Sequence, residues 1–285
     1  MGLRQLLSGG VRLILVALLT SQASAQEFRP NSAVSTMSFE FVSDFVVLVP
    51  GQVGSLDGLK FILDTGSTHT VIDRRVADRL RLPRHPGRVT NFDRYIPVEW
   101  ADVPQLRVGP MQAEAFRVMV ADLAELSAFG QEADGILGLD LLSRARKLAI
   151  DYDKKLVTIE MDPRSEDRAP LSIGFVVPVA VQGFPMHLLV DTGLRDMLVY
   201  KDRLRSALPH LRTEGEPQPA VIGRMHATQV NLPGVQIFGP DAVTSVLLID
   251  GPNSDVGAVD GYLGPTSLHA KRLELDFAAQ LLRWQ

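Results

Sequence analysis

The chain has 285 residues, of which 46% are hydrophobic and 22% charged, a balance that folds into globular domains and excludes a disordered chain. There is no cysteine, which excludes disulfides, zinc–thiolate sites, iron–sulfur clusters and cysteine nucleophiles together. The formal net charge is −4, from 29 Lys and Arg against 33 Asp and Glu, so the global basic footprint of a nucleic-acid binder is missing.

The first 25 residues carry Arg4 and Arg12, an apolar run from Leu13 to Leu19, and Ala23-Ser-Ala25. A basic start, a short apolar stretch and small residues at the end predict a secretory signal over residues 1–25. The run falls short of the roughly 20 residues that a spanning helix needs, although a retained anchor stays open as an alternative. Removing these residues leaves 260 with a charge of −6. An exported protein held without disulfides fits a bacterial periplasmic or secreted setting better than a disulfide-rich lumen. Residues 26–37 are a short extension with little room for an inhibitory pro-segment.

Strands are predicted next at Phe45–Val49 and Lys60–Leu63, the second running straight into Asp64-Thr-Gly-Ser67. A helix is predicted over Arg74–Leu80. Seven arginines lie between Arg74 and Arg94 (Arg74, Arg75, Arg79, Arg81, Arg84, Arg88, Arg94). Interleaved with Asp73, Asp78 and Asp93, they describe a solvated helix face and loop and not a site for an anionic partner. The stretch Asn91–Glu99 with Tyr95 follows, then a strand at Phe116–Val120 and the motif Asp134-Gly-Ile-Leu-Gly138. A helix over Leu141–Arg146 and strands at Leu148–Ile150 and Leu156–Ile159 complete this half. A polar segment with Pro163 and Pro170 marks a surface linker over 161–172.

The second half repeats the set. Strands are predicted at Phe175–Val179 and His187–Val190, the latter leading into Asp191-Thr-Gly-Leu194. A helix over Lys201–Ala207, the stretch Ala220–Thr228 with Gly223, a strand at Thr244–Ile249 and the motif Asp260-Gly-Tyr-Leu-Gly264 follow. Asp64 and Asp191 are 127 residues apart, Asp134 and Asp260 are 126 apart, and Asp151 and Asp276, each closing a short apolar run, are 125 apart. Three motifs in one order at nearly constant offset mark a duplication. Its units are residues 38–160 and 173–285. Many short strands with few helices predict an all-β protein of two barrel-like lobes.

An Asp at the end of a buried strand is partly desolvated, and a Gly two residues later lets backbone N–H groups approach its carboxylate. In a duplicated chain, a pseudo-two-fold axis can bring two such carboxylates face to face. Like charges at that proximity cannot both ionise, so the pair holds one proton between them. The ionised member can deprotonate a water while the protonated one polarises a carbonyl oxygen. The six histidines (His69, His85, His187, His210, His226, His269) show no ligand spacing, and neither phosphate-loop nor serine-hydrolase motifs occur. Neither a metal nor another cofactor is expected.

These motifs resemble the pepsin/retropepsin type of aspartic protease, in which a hydrophobic-hydrophobic-Asp-Thr/Ser-Gly loop is backed by a later hydrophobic-hydrophobic-Gly. The resemblance spans nearly all of residues 38–285. It implies two retropepsin-like β-barrel lobes with the active-site cleft between them, Asp64 and Asp191 as the catalytic dyad, and a peptide or unfolded protein as substrate. By the same resemblance Thr65 and Thr192 cross-link the loops, and Gly66 and Gly193 offer backbone N–H groups to the carboxylates. Tyr95 and Gly223 mark candidate flaps. A monomer is implied, with no nucleic acid and no membrane insertion after signal removal. Ser67 suits a hydroxyl hydrogen bond to the outer oxygen of Asp64, which Leu194 cannot offer Asp191. That departure leaves two readings: an endopeptidase with carboxylates of unequal proton affinity, or a peptide-binding envelope relative with weak or no hydrolysis.

Overall fold

The computed structural model of the chain describes residues 33–91, 94–124, 133–162, 171, 174–207, 210–222, 225–237, 239–240, 242–250 and 259–285. All of them fall in one compact unit, Asn31–Gln285. Residues 1–25, where the sequence predicts a signal, Gly223 and most of the predicted linker lie outside the described residues.

Among the described residues the molecule is all-β with three short helices. Its first half holds β1 (Val34–Ser38), β2 (Glu40–Val42), β3 (Val46–Val53), β4 (Leu56–Leu63), β5 (Val71–Asp73) and α1 (Arg74–Arg79). It continues through β6 (His85–Asn91), β7 (Arg94–Val108), β8 (Met111–Ala121), β9 (Gly135–Leu137), α2 (Leu139–Leu142), β10 (Ala145–Asp151) and β11 (Leu156–Met161). The second half holds β12 (Val176–Val181), β13 (Phe184–Val190), β14 (Met197–Tyr200), α3 (Lys201–Ala207), β15 (Glu214–Ile222) and β16 (Met225–Gln236). It ends with β17 (Ala242–Ile249), β18 (Gly261–Leu263), β19 (Arg272–Asp276) and β20 (Leu281–Trp284).

The duplication is written into the strand order. One sheet runs β2-β3-β4-β9-β5-β8-β7-β6 and another runs β12-β13-β18-β14-β17-β16-β15. Setting β3 against β12 aligns every following strand, with β2 as an addition to the first. Each sheet curls so that its early strand also pairs with its longest one, β3 with β7 and β12 with β16. In both, the strand before Asp-Thr-Gly lies parallel to the strand of the later Gly motif: Leu63 opposes Leu137, and Val190 opposes Leu263.

These central strands read as unbroken apolar runs because both faces are covered. In β4, Phe61 and Leu63 enter the main core, whereas Ile62 packs on the other face with Phe45, Val46 and Leu48. A third sheet, β1-β11-β10-β19-β20, belongs to both halves. It is joined where β10 pairs antiparallel with β19, Leu148 opposite Leu275. The lobes are therefore stitched into one core. Residues 34–37, part of the extension in the sequence reading, form most of its edge strand β1, paired with β11.

The expected helix over Leu141–Arg146 is displaced. Helix α2 spans only Leu139–Leu142, and Ala145 and Arg146 already belong to β10. Pairing of β10 with both β11 and β19 outweighs a local helical preference there. Helix α1 ends at Arg79 with Leu80 as its C-cap, and α3 spans Lys201–Ala207 as the sequence predicts.

Candidate active site

Each Asp-Thr-Gly loop hangs from the strand of the later Gly motif. The Asp64 N–H donates to Leu137 O at 3.1 Å, and the Asp191 N–H to Leu263 O at 3.0 Å. The motif's own aspartates lock the strand ahead of the loop, with the Lys60 N–H donating to Asp134 Oδ2 at 2.9 Å and the His187 N–H to Asp260 Oδ2 at 2.8 Å. Gly138 and Gly264 let the following loop lie directly on that strand, since a Cβ would strike the backbone of His69 or of Arg195.

The two loops are then bound to each other. Thr65 and Thr192 are fully buried, and each hydroxyl reaches across the axis. Thr65 Oγ1 donates to Val190 O, and Thr192 Oγ1 donates to Leu63 O, both at 2.8 Å. Each hydroxyl also accepts the other threonine's backbone N–H at 3.1 Å. Through these four bonds each buried hydroxyl both donates and accepts across the axis.

This cross-link sets Asp64 and Asp191 against one another. Both residues are half-buried, and their carboxyls share a hydrogen bond. A Cβ on Gly66 would run into the Asp191 carboxyl, and one on Gly193 into the Asp64 carboxyl. Glycine is thus required twice, because each loop backs onto the opposite acid. Asp64 Oδ1 accepts the N–H of Gly66 at 2.8 Å and of Ser67 at 3.1 Å. Asp191 Oδ1 accepts the N–H of Gly193 at 2.8 Å.

Burial raises the pKa of Asp64 above the usual carboxylate range, opposed by the hydrogen bond from Asp191 and by the Gly66 and Ser67 N–H groups. Asp191 is raised much further, by burial, then by the charge of Asp64 and the hydrogen bond between them, with Gly193 and Leu194 opposing. The two acids therefore hold one proton between them over a range where an isolated carboxyl has already lost its own.

Ser67 departs from its expected role. Its hydroxyl donates to the His69 carbonyl oxygen at 2.7 Å, and only its backbone N–H reaches Asp64. The loop turns so tightly after Gly66 that the side chain finds its acceptor two residues ahead. Leu194 does not disturb the cross-link, which is symmetric in length on both sides. Its side chain packs on the apolar cluster of Leu198, Tyr200, Ala227 and Ile249, beside Tyr262.

One contributor was missed in the sequence. Asp140 accepts the Thr70 N–H at 2.9 Å and the Thr70 hydroxyl at 2.6 Å, clamping the far end of the Asp64 loop. Burial raises its pKa despite those bonds. Its place two residues after Gly138 was the available signal. Tyr262 occupies the position of Ile136 in the repeat and packs edge-on to Tyr200, with ring centroids 6.3 Å apart. Burial raises its phenol, and the charges of Asp191 and Asp64 add to the rise.

Each sheet carries a hairpin at an equivalent place, β6–β7 in the first and β15–β16 in the second. Tyr95 lies near the tip of the β6–β7 hairpin, its backbone opposite Thr90. The β15–β16 hairpin closes where Ile222 opposes Met225, and Gly223 lies outside the described residues. Of the arginine run, Arg74 pairs with Glu99 at 2.9 Å, Arg75 with Asp73 at 2.8 Å, and Arg84 with Asp78 and Glu99. Among the described residues, no helix is long and apolar enough to cross a membrane.

Strand order and site together define a two-lobed all-β protein with one Asp-Thr-Gly loop from each half cross-linked to the other. Residues 49–141 match the aspartyl protease family. The crystal structure of a retropepsin-like aspartic protease from Rickettsia conorii is similar at 18% identity, covering 46% of this chain and 94% of its own, with a TM-score of 0.32. The comparison with curated proteins gave no match. The family match covers about a third of the chain, the part that holds the Asp64 loop and the first Gly motif.

Proposed function

We propose that the protein is an exported aspartic endopeptidase that cuts peptide bonds of peptides or unfolded proteins with the Asp64/Asp191 pair. The observation that carries this reading is the threonine cross-link that sets two half-buried carboxyls against one another, each backed by the opposite loop's glycine. Ionised Asp64 takes a proton from a water whose oxygen attacks the peptide carbonyl carbon. Asp191 gives its proton to the carbonyl oxygen. The tetrahedral intermediate then collapses: the C–N bond breaks, the nitrogen takes the proton held by Asp64, and Asp191 recovers its own. The intact cross-link around Leu194 favours this reading over a binding protein with a distorted loop.

Incubating residues 26–285 with a denatured protein from pH 3 to 7 tests the proposal, beside Asp64→Asn and Asp191→Asn variants. Cleavage should fall by on the order of 1,000-fold or more in either variant, since the two acids act as one unit. Cleavage that survives either substitution rejects the dyad. Absence of cleavage by the unaltered protein at every pH rejects the endopeptidase.

A further inference from the structure

Two backbone N–H groups meet the Asp64 carboxyl, and they sit at different points of the loop. Gly66 lies inside the Asp-Thr-Gly turn, two residues from the acid. Ser67 lies at the exit of that turn, with its N–H 3.1 Å from Asp64 Oδ1. The chain after Ser67 is held from outside the loop. Ser67 O accepts the Leu139 N–H at 2.8 Å, and Thr68 O accepts the Asp140 N–H at 3.3 Å.

The Asp140 side chain closes this arrangement. Its Oδ1 accepts the Thr70 hydroxyl at 2.6 Å, and the Thr70 N–H lies 2.9 Å from both carboxyl oxygens. The Thr70 hydroxyl in turn accepts the Gly138 N–H at 3.2 Å. Thr70 is fully buried, so an unmade bond here is costly. Residues 67–70 are thereby tied to residues 138–140 at both ends of the segment.

The charged groups on the surrounding elements are otherwise engaged. Arg117 of β8 pairs with Asp102, and Arg146 and Lys147 of β10 pair with Glu160 and Glu274. Arg144 lies over the Phe116 ring at 5.0 Å. His85 of β6 lines the same cavity as Asp140. His69 comes nearest, its Nδ1 4.0 Å from Asp140 Oδ2. On the Asp64 side stand Asp191 and the Tyr262 phenol. In the second half the clamping pair is exchanged as a unit: at the repeat's offset Thr70 becomes Met197 and Asp140 becomes Thr266.

We infer that Asp140 is a positioning residue for Asp64: by holding Thr70 and the chain behind Ser67, it keeps the Ser67 N–H on the Asp64 carboxylate. The inference rests on the endopeptidase reading for the part Asp64 plays in cleavage. Burial raises the pKa of Asp64, and the Ser67 N–H is among the groups that oppose the rise. An N–H aimed at a carboxylate stabilises its ionised form. Loosening the clamp therefore moves the first ionisation of the Asp64/Asp191 pair to higher pH. Loss of the Asp140 charge by itself acts the other way, because a nearby like charge disfavours ionisation. The sign of the change separates positioning from charge.

The test is a 13C titration of the pair without substrate, read beside the pH profile of kcat/KM. In Thr70→Val and Asp140→Ala the first ionisation, and with it the acid limb of the profile, should rise by about half a pH unit or more. Thr70→Val keeps the shape of the side chain and the Asp140 charge, so the result does not depend on the alanine variant folding. Asp140→Asn keeps an oxygen for the Thr70 hydroxyl and should hold the limb within about 0.2 units of its original place. Thr266→Ala, at the equivalent position of the second half, should leave it unmoved.

A first ionisation that stays in place or falls in Thr70→Val overturns the positioning role and leaves the endopeptidase. A rise of equal size in Thr266→Ala overturns it as well, since the effect would then not pass through the clamp. The expected rise in the titration, without cleavage by the unaltered protein at any pH, keeps the hold of Asp140 on Asp64 and overturns the endopeptidase.

Discussion

The Asp64 loop is fastened along its whole length to its own lobe, whereas the Asp191 loop depends mainly on its partner across the axis. Beyond the shared cross-link, the first loop has the Leu139 N–H on Ser67 O at 2.8 Å, the Asp140 N–H on Thr68 O at 3.3 Å, and the Thr70–Asp140 clamp. The second has the Leu194 N–H on Asp191 O at 3.3 Å and the Gly264 N–H on Asp196 O at 3.1 Å, with Leu194 anchored in an apolar cluster. Polar fastening holds one loop and hydrophobic packing the other. The consequence reaches the chemistry: burial raises both acids, and for Asp191 the charge of Asp64 adds to the rise. Duplication supplies two acids, and the copies then hold them in different surroundings.

If the cross-link is what makes the two loops one site, removing either threonine hydroxyl should have the largest structural effect. Thr65→Val and Thr192→Val should each lower stability by about 2–4 kcal/mol, because each orphans a buried N–H and a buried C=O across the axis. The double variant should cost less than the sum of the two, since they share one network. Urea unfolding of the three variants measures this. Single losses below about 0.5 kcal/mol, or strict additivity, would break the comparison.

Leu194→Ser sharpens it further. A serine restores the residue that the first copy carries, yet the Ser67 hydroxyl serves the His69 carbonyl and not Asp64. The substitution should therefore leave the pH dependence of cleavage in place while lowering stability by about 1–2 kcal/mol through lost apolar contact. A shift of that dependence by a full pH unit would mean that a hydroxyl at this position does reach Asp191.

Much of this was legible from the doubled motifs. An apolar run ending in Asp-Thr-Gly reports a strand covered on both faces, and the constant offset between Asp64 and Asp191 reports the symmetry that pairs them. The β3, β4, β12 and β13 strands carry the same message in β-branched and aromatic residues. What stayed hidden depends on contacts between segments distant in sequence. Helix α2 is shorter and earlier than its residues suggest because Ala145 and Arg146 are drawn into strand pairing. The long β6–β7 and β15–β16 hairpins mix prolines and polar residues, and they form through pairing with the rest of their sheets. Asp140 reads as an ordinary helix residue until Thr70 is seen beside it, and nothing local tells that the Ser67 hydroxyl turns forward to His69.

The central claim is that one proton is shared between two unequal acids, and titration of the side-chain carboxyl carbons of Asp64 and Asp191 by 13C NMR, assigned through the two Asn variants, tests it most directly. Because both pKa values are raised and that of Asp191 the further, Asp64 should ionise first as pH rises, and Asp191 should remain protonated well above the ordinary carboxylate range. Two independent titrations near the unperturbed value of about 3.9, or Asp191 ionising before Asp64, would contradict the account.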